Sequence, residues 1–170
     1  MGGRLWILVL AGFALVLVAT DNADAETVYE EWHYLTEGDT VTAISADGNY
    51  IVAGSNSGYN SRVYLFNKDS FTPLWSYTTG FVGEGMLSVA ISADGEYIAA
   101  GSVRNKVFLF DKDSGTPLWE ADTGGDVHSV AISADGEYIV AGGNKVYLFD
   151  RDNSTPLWNY TIGGSGESVA

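Results

Sequence analysis

The sequence predicts an all-β fold, a β-propeller built from four-stranded blades, and this prediction rests on internal repeats and on the strand pattern within them. A fourteen-residue segment that begins at Ser88 returns at Ser129 with one change, Ala99 to Val140, and an earlier copy covers residues 43–54. Each copy is followed by a Val-aromatic-Leu-Phe run and then by Pro-Leu-Trp. Self-similarity at a period of about forty residues is typical of stacked repeat architectures, and no helical stripe of useful length appears downstream of the N-terminal segment.

The first element is an N-terminal segment, residues 1–25, that predicts export. Arg4 precedes an uncharged run over residues 5–19, and the small-x-small triplet Ala23–Ala25 follows. At about 1.5 Å per residue, a helix of this run is shorter than the roughly 30 Å hydrocarbon core of a membrane. We therefore expect a signal helix that is cleaved before Glu26, with an uncleaved membrane anchor as the alternative. Either way, the remainder is expected to be secreted or held at the cell surface.

Each repeat unit downstream predicts four short strands, named a to d. In the first unit, strand a is Val41–Ser45, and an Ala-Asp-Gly turn that suits a positive φ leads to strand b at Tyr50–Gly54. Strand c is the run from Val63, and strand d begins at Pro73, where the missing N–H costs no ladder bond on an outer edge. Strands b and c are apolar at nearly every position, so we expect neighbouring sheets to cover both of their faces. This requirement favours a propeller over a sandwich.

Three complete blades and two partial strands are expected within residues 26–170. The complete blades are placed at about 41–78, 87–122 and 128–161. Residues 28–35 match the Trp-x-Tyr pattern of strand d, and residues 166–170 match the opening of strand a. Because propellers usually close with about four to eight blades, the sequence is either a piece of a longer protein or one of several chains that complete a ring. Open blade faces predict self-association.

The repeat resembles the blades of two known propeller groups. Ser-Ala-Asp-Gly-Glu-Tyr-Ile followed by Val-Tyr-Leu-Phe-Asp is similar to WD40-type blades, and the segment from Phe110 to Trp119 resembles PQQ-like, quinoprotein-type repeats. The chain departs from the WD40 pattern because the Gly-His pair before strand a is missing and phenylalanines stand where the signature Trp would be. Those phenylalanines are Phe66, Phe110 and Phe149. The resemblance covers residues 28–170 and implies a propeller fold; quinoprotein enzymes with such repeats carry out redox chemistry on a bound cofactor.

The charge of the chain excludes several classes of partner. It has 22 Asp+Glu against 8 Lys+Arg, which gives a formal net charge of −14. This charge excludes a protein that binds nucleic acid by neutralising phosphates. It also argues against docking on an anionic membrane surface, so membrane contact is expected only through the N-terminal segment. The chain has no Cys, which excludes disulfides, thiolate metal sites and cysteine nucleophiles.

Loop lengths single out one end of the blades as a binding rim. The a–b and c–d turns keep constant lengths in all three blades, whereas the b–c connections shrink along the chain and the first d–a connection is longer than the second. Insertions that collect on one face usually mark the binding face of a repeat protein. The predicted binding residues lie in these connections: Asn56, Tyr59, Asn60, Glu84, Arg104, Asp126 and His128.

No motif in the sequence predicts catalysis or a bound cofactor. Asp111-x-Asp113-x-Gly115 looks like a fragment of a calcium loop, but an EF-hand needs Gly at the sixth position and a bidentate Glu at the twelfth. Acidic turns that cap backbone N–H groups explain the pattern without metal. His33 and His128 lie on different strands with no repeated partner, so neither a metal pair nor a catalytic triad is predicted. We expect no catalytic residue, no metal ligand and no cofactor, with calcium and PQQ as alternatives that no motif in the sequence supports.

The leading hypothesis is an exported, non-catalytic β-propeller that acts as a binding or scaffold module. It would present the variable rim to a protein or carbohydrate partner, and its acidity would keep it soluble. The alternative is the propeller portion of a larger enzyme, such as a PQQ-like oxidoreductase, whose catalytic residues lie beyond Ala170.

Overall fold

The computed structural model describes residues 9–10, 13–14, 33–36, 38–57, 61–79 and 85–162. Contacts divide the chain into two units, Met1–Glu31 and Trp32–Ala170. In the first unit, strands β1 (Val9–Leu10) and β2 (Phe13–Ala14) pair antiparallel. The rest of the expected signal helix and its cleavage site lie outside the described residues, so the export segment stays a prediction. Within the described ranges, no helix is long and apolar enough to cross a membrane.

The second unit contains three four-stranded antiparallel sheets, which confirms the predicted all-β fold with three complete blades. In each sheet the spatial order of the strands follows the chain. Blade 1 consists of β3 (Asp39–Ile44), β4 (Tyr50–Asn56), β5 (Arg62–Asn67) and β6 (Trp75–Thr78). Blade 2 consists of β7 (Met86–Ile91), β8 (Tyr97–Ser102), β9 (Lys106–Asp111) and β10 (Pro117–Asp122). Blade 3 consists of β11 (Ser129–Ile132), β12 (Tyr138–Gly142), β13 (Lys145–Asp150) and β14 (Trp158–Thr161).

The hairpin between the first two strands of each blade turns on the Ala-Asp-Gly segment. The turn glycines Gly48, Gly95 and Gly136 have φ angles of 71°, 78° and 71°, a conformation that glycine adopts without the steric cost of a Cβ. In every blade the glycine N–H donates to the carbonyl of the serine three residues before it. Since the turns are alike, the first two strands of each blade pair in the same register next to the turn, with Ile44 opposite Ile51, Ile91 opposite Ile98 and Ile132 opposite Ile139.

Apolar side chains between consecutive sheets form the core. The first strands of successive blades contact each other, β3 with β7 and β7 with β11. One buried cluster, between blades 1 and 2, includes Leu65 and Phe110, and a second, between blades 2 and 3, includes Leu109 and Phe149. In β5 and β9 four consecutive residues are buried, as is required of strands that are covered on both faces. The blades therefore pack face to face.

The two predicted partial strands lie largely outside the described residues. Residues 166–170 are not described, and of residues 28–35 only 33–35 are, where they lie outside any strand. Tyr34 nevertheless occupies the place of a fourth-strand tyrosine. Its ring centroid lies 5.4 Å from that of Tyr64 and 5.2 Å from that of Phe66, as the Tyr77 ring in blade 1 packs against two aromatic rings of blade 2.

Candidate functional site

The ends of the blades form two rims with different chemistry. We define the turn rim by the hairpins between the first and second strands and between the third and fourth strands of each blade. The connection rim contains the links between the second and third strands, together with the segments that join one blade to the next. The predicted binding residues belong to the connection rim.

The turn rim is held by the same hydrogen bonds in all three blades. The Ser45 hydroxyl donates to Asp47 Oδ1 at 2.6 Å, and the equivalent bonds in blades 2 and 3 measure 2.7 and 2.6 Å. The same carboxylate oxygen accepts the backbone N–H two residues further on. Because these bonds, the serine hydroxyl first, favour the charged carboxylate, they hold the pKa of Asp47, Asp94 and Asp135 below the ordinary aspartate value. The carboxylates of these aspartates therefore stabilise the turns.

The hairpins between third and fourth strands use their acidic residues in a similar way. Asp111 Oδ1 accepts the N–H of Asp113 at 2.7 Å, and Asp150 Oδ1 accepts that of Asp152 at 2.9 Å, with Asn67 in the same role in blade 1. Among the described residues, no group of three or more His, Asp or Glu side chains is placed to hold a metal ion. Asx-type turns account for the acidic pattern that resembles a calcium loop.

On the connection rim, one buried serine ties together three of the predicted binding residues. Ser102 ends β8, and its hydroxyl accepts the backbone N–H of Arg104 at 3.3 Å. Its carbonyl accepts the N–H of Val127 at 3.0 Å, in the segment that joins blades 2 and 3. Asp126 and His128 flank Val127, and the side chains of Arg104, Asp126 and His128 are exposed. The structure therefore brings these three residues onto one continuous surface.

Of the remaining predicted binding residues, the structure describes one, Asn56. Asn56 ends β4, and a Cβ built on Gly85 would lie 2.2 Å from its Oδ1, so its side chain packs against the segment that joins blades 1 and 2. This contact gives Asn56 a structural role in the rim. Tyr59, Asn60 and Glu84 lie outside the described residues, and their part in the rim stays a prediction.

Two asparagines of the rim were not among the predicted binding residues. Asn105 has a φ of 62°, and its carbonyl accepts both the N–H and the hydroxyl of Thr123, which follows β10. The exposed Asn144 packs against Gly125, because a Cβ at that glycine would lie 2.9 Å from the Asn144 amide carbon. The sequence carries a signal for both, since an Asn directly precedes the Lys that begins the third strand in blades 2 and 3.

The cavities of the described residues are small or open. A crevice on the connection rim runs between Thr123–Val127 and Ala141–Tyr147, and its volume of about 0 Å³ leaves no room for a water molecule, whereas small-molecule pockets begin at roughly 300 Å³. An open groove of about 310 Å³ lies on the turn rim, lined by Tyr50, Leu74, Trp75, Lys112 and Asp113. The connection rim is accordingly suited to surface contact with a large partner.

Comparison with known proteins identifies a family for this chain. A family model described as outer membrane protein assembly factor BamB matches residues 59–169, which is 111 of the 170 residues. The matched range includes blades 2 and 3 complete, and it confirms the predicted resemblance to PQQ-like propeller repeats. No curated protein matches the sequence.

Proposed function

Because the chain belongs to the β-propeller family described as outer membrane protein assembly factor BamB, we propose that it is an exported, non-catalytic binding module whose connection rim contacts a protein partner. The family description names a factor for the assembly of other proteins. This favours a protein over a carbohydrate as the partner. An assembly factor of an outer membrane protein also works outside the cytoplasm, in keeping with the export expected from residues 1–25.

The confinement of chain-length variation to the connection rim carries this proposal. On the turn rim, the last phenylalanine of the third strand and the tryptophan near the start of the fourth are nine positions apart in every blade. The link between second and third strands has five residues in blade 1, three in blade 2 and two in blade 3. The link between first and second strands has five residues in every blade, and its polar groups are used in the same turn bonds. Repeat proteins bind through the face on which their loops differ. On the turn rim, the side chains of the turn aspartates already form hydrogen bonds within the turns.

The two rims also differ in net charge. Among the described residues the turn rim carries ten acids and three cations, a net of −7. Among the described residues of the connection rim and of the strand ends next to it, four cations balance four acids: Arg62, Arg104, Lys106 and Lys145 against Asp39, Glu120, Asp122 and Asp126. A neutral rim of mixed charge can approach a partner of either sign without the repulsion that the turn rim would impose.

Site-specific photocrosslinking tests this proposal. A photoreactive residue is placed at Arg104 or at His128 on the connection rim, and at Asp113 or Asp152 on the turn rim as matched exposed controls. In producing cells, both rim positions should give an adduct with the same protein, and the control positions should not. The purified partner should bind the chain, and a variant with Arg104→Ala, Asp126→Ala and His128→Ala should bind about tenfold more weakly or worse.

Two outcomes contradict the proposal. Adducts from the turn-rim positions alone would place the contact on the wrong face. Unchanged affinity of the triple variant, with an unchanged melting temperature, would remove these residues from the contact. A glycan array probed with the same chain decides between partners, because specific glycan binding lost in the triple variant would favour a carbohydrate.

The absence of a cofactor is part of the proposal and has its own measurement. Added PQQ or Ca²⁺ should leave the melting temperature unchanged, because a ligand that binds only the folded state raises it. A saturable rise with either one would instead favour the enzyme alternative or a metal site.

A further inference from the structure

Two acceptor motifs for N-linked glycans lie close together in blade 3. The motif is an asparagine, then any residue except proline, then serine or threonine. Residues 153–155 (Asn-Ser-Thr) and 159–161 (Asn-Tyr-Thr) both fit it. The chain has nine asparagines, and none of the other seven has a serine or threonine two positions further on. An N-linked glycan on this chain is therefore expected on blade 3 and on no other blade.

Asn153 lies in the hairpin between the third and fourth strands, where the other two blades have serine. The Oδ1 atom of Asn153 accepts the backbone N–H of Thr155 at 2.8 Å. In blades 1 and 2 the hydroxyls of Ser70 and Ser114 accept the equivalent N–H groups at 3.0 and 3.1 Å. Serine is thus sufficient for this turn, so the geometry of the turn does not account for the asparagine of blade 3.

The carboxamide nitrogen of Asn153 is the atom that asparagine adds at this position. Because a backbone N–H only donates, the side-chain atom that faces it is the oxygen, and Nδ2 is left without a hydrogen bond within the described part of the chain. Asn153 and Thr155 are both exposed. In blades 1 and 2, which each have a following blade, the equivalent threonines are exposed and the equivalent serines half-buried. A following blade therefore leaves this turn accessible.

Asn159 is exposed in the outermost strand of the same blade. It lies in β14 opposite Tyr147 of β13, and Thr161, two residues further on, shares its face of the strand and is also exposed. The equivalent residues Ser76 and Glu120 are exposed as well, although blade 2 has a described blade on each side. Exposure is therefore a property of this strand position in every blade.

We infer that the exported chain carries N-linked glycans at Asn153 and at Asn159. The inference rests on the export that is part of the proposed function, because this motif is an acceptor in secreted proteins. The donor is an oligosaccharide carried on a lipid phosphate, and a transferase outside the cytoplasm catalyses the step.

The transfer is a substitution at the anomeric carbon of the sugar. The asparagine Nδ2 forms a bond to that carbon, and the bond from the carbon to the phosphate oxygen breaks. The lipid phosphate leaves with the electron pair, and a basic group of the transferase takes one proton from the amide nitrogen. No atom is oxidised or reduced.

The two acceptors leave the connection rim free. Asn153 belongs to the turn rim, and Asn159 lies within an outermost strand. Three asparagines of the connection rim, Asn56, Asn105 and Asn144, lack the motif. Because a glycan is bulky and favours solvent, one on the connection rim would obstruct the proposed contact with a protein. Glycans on blade 3 would instead solubilise the chain without covering that rim.

Intact-mass measurement tests the inference on the full chain that its natural producing cells export. The wild type should be heavier than its polypeptide by the mass of two glycans. Asn153→Gln and Asn159→Gln should each remove one glycan, and the double variant should have the mass of the polypeptide alone. Release of the glycans with an amidase, which leaves aspartate in place of each modified asparagine, should place both sites by peptide mapping.

The threonine of the first motif provides a control that keeps its asparagine. Thr155→Ser retains a hydroxyl at that position and should retain the glycan on Asn153. Thr155→Ala removes the hydroxyl and should lose that glycan alone. Asn144→Gln changes an exposed asparagine that lacks the motif, so both glycans should remain.

The failure of this inference and the failure of the proposed export give different results. An exported chain with the mass of its polypeptide alone overturns the inference and leaves the export intact. A chain that stays in the cytoplasm without glycans contradicts the export and overturns the inference with it. A glycan that persists in the double variant also overturns the inference. If only one single variant loses a glycan, the assignment of the other asparagine is wrong.

Discussion

At the scale of single residues, one donor group accounts for the fixed place of tryptophan in the repeat. The N–H groups of Trp75 and Trp119 each donate to a main-chain carbonyl of the following blade, while the rings fill the junction. Phenylalanine could supply the ring, but it has no donor. The tryptophan therefore links adjacent sheets through a polar bond in an otherwise apolar interface.

Replacement of Trp119 by Phe should destabilise the fold by about 1 kcal/mol, the usual net value of a hydrogen bond whose acceptor is left partly buried. The ring packing on Phe149 is kept, so a larger loss is not expected. Urea denaturation of the wild-type chain and the variant measures the difference. Leu118→Ala is the control, since that side chain is exposed and should change stability by less. Equal stability of the wild type and Trp119→Phe would show that the bond contributes nothing.

The aspartates of the turn rim predict a loss of stability in acid. Since their folded-state pKa values lie below the ordinary value of 3.8, each carboxylate contributes stability that is present above pH 3.8 and is lost as the pH falls through its folded pKa. A variant with Asp47→Asn, Asp94→Asn and Asp135→Asn keeps the acceptor oxygen and removes the titration. Its melting temperature should fall less steeply than that of the wild type as the pH drops below 3.8.

The control for the acid experiment is Asp126→Asn, which changes an exposed aspartate on the connection rim. Its melting profile should follow the wild type in acid. Parallel profiles for the triple variant and the wild type would mean that other carboxylates govern acid unfolding.

At the scale of elements, glycine in the turns meets two different requirements. One is a positive φ angle within the turn, and the other is close packing against a tyrosine of the preceding blade. Gly48 and Gly95 have similar positive φ angles of 71° and 78°, so an Ala at either position carries a similar backbone cost, about 1 kcal/mol. Only Gly95 faces a ring of the preceding blade, with Tyr50 Cδ2 at 2.5 Å from a built Cβ. Gly95→Ala should therefore lower the free energy of unfolding more than Gly48→Ala.

Denaturant unfolding of the two glycine variants at a dilution where the chain is monomeric measures the difference. Gly136→Ala, which faces Tyr97 at 2.5 Å, should match Gly95→Ala. If all three variants lose the same stability, the tyrosine rings yield to the added methyl group and the junction places no demand on the turn.

Strand type was predictable from the sequence because the physical requirement is local and repeated. The runs Val63–Phe66 and Val107–Phe110 are apolar at every position, which only a strand covered on both faces requires, and both are fully buried. The nearly identical run Val146–Phe149 alternates between buried and half-buried, because blade 3 has a neighbour on one side within the described residues. The apolar pattern of a strand shows that both of its faces can be buried. Whether both are buried depends on whether the blade has a neighbouring blade on each side.

The candidate site was predictable only in part, for a related reason. Loop length located the rim and placed Arg104, Asp126 and His128 on it. The packing of Asn56 on Gly85 and the hydrogen bonds of Ser102 depend on how one blade meets the next, and no single repeat contains that information. The residue types predicted which side chains could bind a partner. Contacts between blades determine which of these side chains are instead packed within the fold.

At the scale of the whole repeat unit, stability should be unequal among the blades. In a stack of repeats each unit is stabilised by its interfaces with its neighbours, and blade 2 is the one with a described blade on both sides. Every residue of β14 is exposed, whereas the equivalent strand β10 has half-buried and buried positions. Local opening needs little free energy where few apolar contacts are broken.

Hydrogen exchange should therefore be slowest in β8 and β9 and faster in β14 than in β10, when the chain is measured by mass spectrometry at a dilution where it is monomeric. The comparison of β10 with β14 is internally controlled, since both are outermost strands that begin near the same Pro-Leu-Trp motif and pair with one neighbour. Protection of β14 equal to that of β10 would mean that its stability comes from the hairpin with β13 and not from a following blade.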